Sequence, residues 1–163
     1  MRIKKYFISI LAITLLFTLT GCFSKEKINS KKFIDISKKE KLTIYEVTTQ
    51  FKSYDNVKKV YAASNLRGWG ITFFEFKNSD SAENIFNKKV EEFKKNKSKN
   101  DEDDKSGIRN YSIYELTTSN NYYYISRVDN TLLIVDADST HKKEINSFIE
   151  KIKLVWIQMI IYH

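Results

Sequence analysis

The chain has 163 residues and a formal net charge of +8, with one cysteine and no proline. A chain of this length can build one domain with its own core, but it excludes a large multidomain architecture. A single cysteine excludes an intrachain disulfide, so the core alone must stabilise the fold. After residue 21 lysine supplies nearly all of the positive charge and only three arginines occur. Because bidentate phosphate and base recognition favours arginine, nucleic acid is not the expected partner.

The N-terminus has the layout of a secretory signal peptide. Residues 1–5, MRIKK, carry three positive charges and no acid, and a mostly apolar run from Tyr6 to Thr20 follows. This run is too short for a permanent membrane span, which requires about 20 residues. A basic start, a short apolar stretch and a small residue before the cleavage point are typical of exported proteins. We therefore expect residues 1–21 to be removed, with cleavage between Gly21 and Cys22.

The cysteine completes a second motif. Residues 19–22, LTGC, resemble the lipobox of bacterial lipoproteins, which is an aliphatic residue, a small residue, Gly or Ala, and an obligatory cysteine. The resemblance covers residues 1–22 and implies that a diacylglyceryl group is attached to the Cys22 thiol. Two acyl chains anchor a protein stably, whereas one binds only marginally. We therefore expect a lipid anchor on the extracytoplasmic face of a Gram-positive bacterial cell membrane. The alternative, a structural cysteine in an uncleaved helix, fits poorly because polar residues 24–27 follow at once.

The rest of the chain is predicted to consist of a tether and a single domain. Residues 22–30 are short and mostly polar, and we expect them to form a lipidated tether. Residues 31–163 form the domain, which starts with a short helix over residues 31–40 that Ser30 is placed to cap. Residues 154–162 are almost wholly apolar. They are compatible with extra core, with membrane contact or with an aberrant terminus.

An internal similarity organises the domain. Residues 44–49, IYEVTT, recur as IYELTT at residues 113–118, and a predicted hairpin and helix follow each copy. Hairpin turns are expected at residues 65–68 and 129–130, because Asn, Asp and Gly tolerate turn conformations. The similarity has two explanations, an internal strand–hairpin–helix duplication or chance. The predicted boundaries are 43–95 and 112–154 for the repeats and 96–111 for a polar linker.

The apolar pattern predicts the fold class. The segments WGITFFEF (69–76) and TLLIVDA (131–137) are apolar on both alternating faces, which indicates central strands covered on both sides. Amphipathic helices are predicted to begin near Asp80 and Thr140, with Asp80 and Glu83 in capping-box spacing. We therefore predict an α+β fold, with an antiparallel sheet of about five or six strands and helices packed mainly on one face.

The sequence gives little support for catalysis. His141 lies near Asp136 and Asp138, which would suit a metal site or an acid–base pair, but helix capping by Asp138 and Ser139 explains the same residues. The acidic run at 101–104 lacks the glycine and glutamate that a calcium loop requires at its sixth and twelfth positions. The sequence contains none of the common nucleophile, zinc-protease or phosphate-loop motifs. We expect no metal, no cofactor and no catalytic residue.

Aromatic side chains are the better functional candidates. Trp69, Tyr122 and Tyr124 lie on predicted strands and would form a binding surface if one sheet face is open. Filling the core is the alternative role for these rings. We therefore expect a non-catalytic binding module whose partner is a membrane or cell-wall protein. Two further hypotheses are a self-protection lipoprotein that intercepts a toxin or peptide, and a wall-modifying enzyme.

Overall fold

The computed structural model describes residues 25, 27–66 and 68–158, with side chains as far as Ile152. Three α-helices and one seven-stranded sheet make up this part of the chain. The predicted α+β class is confirmed, and the sheet has seven strands where five or six were expected. The elements are α1 Ser30–Lys39, β1 Thr43–Glu46, β2 Val57–Ser64, β3 Gly70–Phe76, α2 Ser79–Lys94, β4 Glu102–Ile108, β5 Tyr111–Thr117, β6 Asn121–Val128, β7 Thr131–Asp138 and α3 Lys142–Gln158, with 3-10 turns at Thr48–Phe51 and Ser139–His141.

All neighbouring strands are antiparallel, in the order β1-β2-β3-β7-β6-β5-β4. The strands predicted to be central, β3 and β7, lie side by side in the middle of the sheet. Successive side chains of a strand point to opposite faces, so Phe73 and Phe74 belong to two separate hydrophobic clusters, and both are buried. The two faces of the sheet therefore each have a core.

Two of the three described helices lie on one face, in line with the expectation of helices mainly on one face, and α2 covers the other face. The helices α1 and α3 pack on the face that carries Phe73, Tyr122 and Tyr124. The helix α2 packs on the opposite face against Phe74 and Tyr123. Because the central strands are apolar on both faces, both faces of the sheet must be covered, and α2 covers the face opposite α1 and α3.

Asparagines cap α1 and α2, in place of the residues that the sequence suggested. Asn29 caps α1 because its Oδ1 accepts the Lys32 N–H at 2.9 Å. Asn78 caps α2 by accepting the Ser81 N–H at 2.9 Å, so the predicted capping box at Asp80 lies inside the helix. The expected cap of α1, Ser30, instead donates its hydroxyl to Glu75 Oε2 at 2.6 Å. A short amide side chain satisfies the otherwise unpaired N–H groups of a first turn.

Part of the predicted linker at 96–111 is a strand. All of β4 pairs with β5, although all seven of its residues are exposed. Strand pairing uses backbone groups, so a segment whose one apolar side chain, Ile108, is exposed can extend a sheet at its edge. The acidic residues of β4 also discourage pairing with further chains. The other edge is β1, which is only four residues long.

The internal similarity holds for the strands and fails for the helices. The order β1-β2-β3 on one side of the β3–β7 pair matches β5-β6-β7 on the other side, and Ile44 and Ile113 pack against the same cluster. A two-fold axis through the sheet between β3 and β7 would place α2 and α3 on one face. They lie on opposite faces, so the duplication stays a prediction.

The strands begin and end at two opposite ends of the sheet, which we name after Asn110 and Trp69. The Asn110 end carries the turns at 109–110 and 129–130, and the Trp69 end carries the hairpin at 65–69 and the turn at 118–120. The Phe76 N–H donates to Asn130 O at 2.8 Å, which puts the end of β3 at the Asn110 end and its hairpin at the Trp69 end. Strands of seven or eight residues at about 3.4 Å per residue place the two ends roughly 25 Å apart.

The predicted tether 22–30 is part of the domain from Lys25 onward, except for residue 26, which is not described. Ile28 is buried, and the Lys25 backbone pairs with the side chain of Asn110. Residues 1–24 and 159–163 lie outside the described residues, and so do the signal peptide, Cys22 and part of the apolar C-terminal stretch. The backbone of α3 is helical through Gln158. Among the helices of the described residues, none is long and apolar enough to cross a membrane.

Candidate functional site

The predicted aromatic surface is not open to solvent. Trp69, Tyr122 and Tyr124 are 5%, 0% and 2% exposed, and all three belong to the core beneath α1 and α3. The expectation of an exposed aromatic face at these residues is therefore corrected, because two helices cover the sheet face that carries them. The indole of Trp69 nevertheless lines a cleft.

This Trp69 cleft has a volume of about 550 Å³ and opens at the Trp69 end. It lies between the end of α1, the β2–β3 hairpin and the first half of α3. Its apolar lining includes Leu42, Trp69 and Phe148, and the Trp69 and Phe148 rings lie 5.9 Å apart. At the hairpin tip the side chain of Leu66 is fully exposed.

Hydrogen bonds hold the walls of the Trp69 cleft in place. The Asn65 side chain accepts the Trp69 backbone N–H at 3.2 Å, which closes the hairpin. The Trp69 Nε1–H donates to Glu144 Oε2 at 3.0 Å, which joins the hairpin to α3. At the rim, Lys151 pairs with Glu40 at 2.5 Å and joins α3 to α1. The cleft therefore has walls whose relative positions the domain fixes.

The hairpin itself depends on one glycine. Gly68 has φ of +97°, a backbone conformation that residues with a Cβ rarely adopt. This conformation turns the chain so that Leu66 stands at the tip while Trp69 returns to the core. The sequence prediction of a turn at residues 65–68 is confirmed.

A second, acidic cleft of about 480 Å³ lies at the same end, on the β4 side of the sheet. Five of its seven lining residues are acidic in a chain that is basic as a whole. An ion pair with Lys97 keeps the pKa of Asp103 below its usual range. The lining residues are Asp101, Glu102, Asp103, Asp104, Glu115, Thr117 and Lys142.

Behind the acidic cleft, a buried hydroxyl orients one carboxylate. The Tyr122 hydroxyl donates to Glu115 Oε1 at 2.5 Å and lies 2.7 Å from the Asn146 side-chain oxygen. Burial raises the pKa of Tyr122, and the adjacent Glu115 carboxylate raises it further. The hydroxyl therefore stays protonated at neutral pH and acts as a hydrogen-bond donor. The arrangement suits the binding of a cationic group better than it suits nucleophilic chemistry.

Two of the residues weighed as a metal site, Asp136 and Asp138, make structural hydrogen bonds. Asp138 Oδ1 accepts the Thr140 N–H at 2.8 Å and so caps the 3-10 turn Ser139–His141 that precedes α3, where a cap of the helix itself was predicted; Asp136 Oδ1 lies 3.4 Å from the amide nitrogen of Asn121. Hydrogen bonds from the Thr140 hydroxyl and, to a smaller extent, from its backbone N–H lower the pKa of Asp138. Within residues 25–158 as described, no group of three His, Cys, Asp or Glu side chains could hold a metal ion.

Sequence reasoning missed Leu66, Glu115 and Glu144. A leucine in an otherwise polar hairpin turn is a signal of an exposed apolar contact, and it could have identified Leu66. The roles of Glu115 and Glu144 depend on where α3 crosses the sheet, and no local pattern specifies that crossing. Neither cleft could therefore be assembled from the sequence.

No family model, curated protein or solved structure matches this chain. The lining of the two clefts at the Trp69 end is the basis for the function proposed below.

Proposed function

We propose that this protein is a membrane-anchored extracytoplasmic lipoprotein that acts as a non-catalytic binding module, with the Trp69 cleft as its contact site. The anchor rests on the LTGC motif at residues 19–22, in which Cys22 would carry the lipid. The observation that carries the binding role is the fully exposed Leu66 at a cleft of about 550 Å³ whose lining combines apolar and charged side chains. Ligand sites are commonly apolar concavities of about 300–1,000 Å³ with a few fixed polar groups.

The lining of the Trp69 cleft indicates the kind of partner. Leu66 offers an exposed apolar side chain, whereas Trp69 and Phe148 are at most 5% exposed and add little apolar surface to the lining. Charges of both signs, including Glu40, Lys143 and Lys151, form the rim. A protein partner with one or two apolar anchor residues and a polar surround fits this combination. We expect that partner to be a membrane or cell-wall protein.

The anchor is tested by fractionating cells that express Cys22→Ala, which should move the protein from the membrane to the medium. Ser24→Ala, two residues away and outside the motif, is the matched control and should stay bound. Continued membrane binding of a Cys22→Ala protein from which residues 1–21 have been removed would refute the lipid anchor.

The binding role is tested by placing a photo-crosslinking amino acid at Leu66 in living cells. Tyr45 is the control position, because it is also a large exposed side chain but lies on β1, away from the cleft lining. One recurrent protein crosslinked from position 66, absent from position 45 and lost in a Trp69→Ser background, would support the proposal. The same products from both positions would contradict it.

A second candidate function, self-protection against a cationic toxin or peptide, is favoured by the acidic cleft. Its five carboxylates complement a basic peptide, and such attraction weakens as salt rises. The test is titration with polylysine at low and physiological salt. Asp101→Asn combined with Asp104→Asn should lower the affinity several-fold, whereas the exposed Asp35→Asn on α1 should not. Equal affinities for the three proteins would exclude the cleft as the binding site.

A further inference from the structure

The first described residue is fixed on one end of the sheet. The Lys25 N–H donates to Asn110 Oδ1 at 3.0 Å, and the Asn110 amide donates back to Lys25 O at 2.6 Å. The Lys25 ammonium lies 3.9 Å from the centre of the Tyr111 ring. Ile28 is buried, and the Lys27 ammonium donates to Asn130 Oδ1 at 2.8 Å. The chain therefore leaves the domain at the Asn110 end.

The distance from this point to the lipid-bearing residue is short. Lys25 lies three positions after Cys22, and a fully extended chain spans at most about 3.6 Å per residue, so the reach is roughly 11 Å. The Trp69 end lies roughly 25 Å away along the strands. A lipid on Cys22 would hold the Asn110 end next to the bilayer and leave the Trp69 end beyond its reach.

The surface at the Asn110 end suits a lipid headgroup layer. Ile108, beside the β4–β5 turn, is 58% exposed and is followed by the exposed Arg109. An apolar side chain next to a basic one fits the boundary between acyl chains and anionic headgroups. The segments that meet at this end include residues 25, 27–29, 55–56, 76–78, 109–110 and 129–130, which contain four basic and two acidic residues.

We propose that the Asn110 end of the domain seats on the anionic headgroup surface of the membrane, with Ile108 and Arg109 in contact with lipid, so that both clefts of the Trp69 end face away from the bilayer. This orientation rests on the lipid anchor at Cys22. It follows from the docked residues 25–29, the short reach to Cys22 and the composition of the surface that lies there.

The test compares two exposed aliphatic positions at opposite ends of the sheet, Ile108 and Leu66. Single cysteines at these positions, in the full lipidated protein, are labelled with a fluorophore, since the lipid occupies the native thiol. The labelled proteins are reconstituted into vesicles of one part phosphatidylglycerol to three parts phosphatidylcholine that contain a spin-labelled quencher lipid. The label at position 108 should be quenched several-fold more than the label at position 66.

The possible failures are distinguishable. A protein that does not float with the vesicles would refute the anchor, and the orientation falls with it. A protein that floats but shows equal quenching, or more quenching at position 66, would refute the orientation alone. Asn110→Ala should release residue 25 and reduce the difference between the labels, whereas Asn120→Ala, in the turn at the Trp69 end, should leave it unchanged. Equal behaviour of these two variants would show that the docked segment does not set the orientation.

Discussion

The indole N–H of Trp69 donates a 3.0 Å hydrogen bond to the carboxylate of Glu144, across 75 positions of sequence. The bond joins the β2–β3 hairpin to the first turn of α3. Because the same hairpin carries Leu66, the contact also determines where the exposed leucine stands relative to the Trp69 cleft. One hydrogen bond thus couples the stability of the domain to the shape of its candidate binding site.

Trp69→Phe should lower the free energy of unfolding by about 1–2 kcal/mol, because it removes the N–H and part of a buried ring. In a double-mutant cycle with Glu144→Ala, urea unfolding should give a coupling energy of about 1 kcal/mol. Lys143→Ala, the neighbouring exposed residue, should change stability by less than about 0.5 kcal/mol. Strict additivity of the two cleft substitutions would show that the bond contributes nothing.

Buried tyrosines should make the domain sensitive to alkali. Burial and the neighbouring Asp103 carboxylate raise the pKa of Tyr114 to about 12, and burial also raises the pKa values of Tyr122 and Tyr124. An unfolded tyrosine ionises near pH 10, so above that pH the folded state retains more protons than the unfolded state. The free energy of unfolding therefore falls as the pH rises, and the contribution of Tyr114 is lost between about pH 10 and about pH 12.

The measurement is tyrosinate absorbance together with circular dichroism during a titration from pH 8 to pH 13. The absorbance of the buried tyrosines should rise only as the fold is lost. Tyr122→Phe should lose less stability between pH 8 and pH 12 than the wild type, and the exposed Tyr45→Phe should follow the wild-type profile. Full ionisation of all tyrosines while the fold persists would contradict the prediction.

The central sheet could be predicted because its signal is local. In β3 and β7 apolar residues alternate onto both faces, so the sequence alone identifies these strands and their position. β4 could not be predicted, because it contributes backbone hydrogen bonds and no buried side chain, and its sequence EDDKSGI is typical of a solvated loop. The face of the sheet that each helix covers could not be predicted either. The apolar pattern of a helix does not specify on which side of the sheet the connection before it crosses.

Only part of the candidate site could be predicted, because only its local features appear in the sequence. The aromatic residues Trp69, Tyr122 and Tyr124 stand out by type, but their burial depends on α1 and α3, which come from both ends of the chain. The acidic cleft combines the start of β4, the end of β5 and the start of α3. Such a juxtaposition of distant segments is a property of the fold and has no signature in any one of them.

Gly107→Ala should detach β4 from the sheet without unfolding the domain. A Cβ at this position would lie 2.6 Å from the Tyr111 carbonyl oxygen and 2.9 Å from the Ser112 Cα, and neither backbone atom can move freely. Because β4 buries no side chain, we expect a global loss of no more than about 1 kcal/mol.

Hydrogen exchange should locate this damage. Amides of residues 102–108 should exchange much faster in Gly107→Ala, while those of β6 and β7 keep their protection. Ser106→Ala, the preceding residue of the strand, serves as the control and should leave β4 protected. Gly107→Ala should also bind polylysine more weakly than the wild type if the acidic cleft is the binding site. A large drop in the global unfolding midpoint would contradict the view of β4 as a separable edge.

Arg127 is a buried charge whose removal should not destabilise the domain. It is 5% exposed, its Nε has no hydrogen-bond partner among the described residues, and the carboxylate of the half-exposed Glu83 lies 3.9 Å from its Nη2. Desolvation of an incompletely paired charge commonly exceeds its Coulombic gain, so an apolar side chain of similar size is often neutral or stabilising. Arg127→Met should therefore leave the free energy of unfolding unchanged or raise it by about 1 kcal/mol.

Glu83→Gln should have the opposite effect, because it leaves the buried guanidinium without its carboxylate and should lower stability by about 1 kcal/mol. In the Arg127→Met background the same substitution should have no effect, since the charge that Glu83 balances is gone. Urea unfolding of the wild type, the two single variants and the double variant measures these changes in the free energy of unfolding. A loss of more than about 2 kcal/mol in Arg127→Met would show instead that its contacts to Ser112 Oγ at 3.4 Å and Asp129 O at 3.5 Å outweigh the desolvation of the charge.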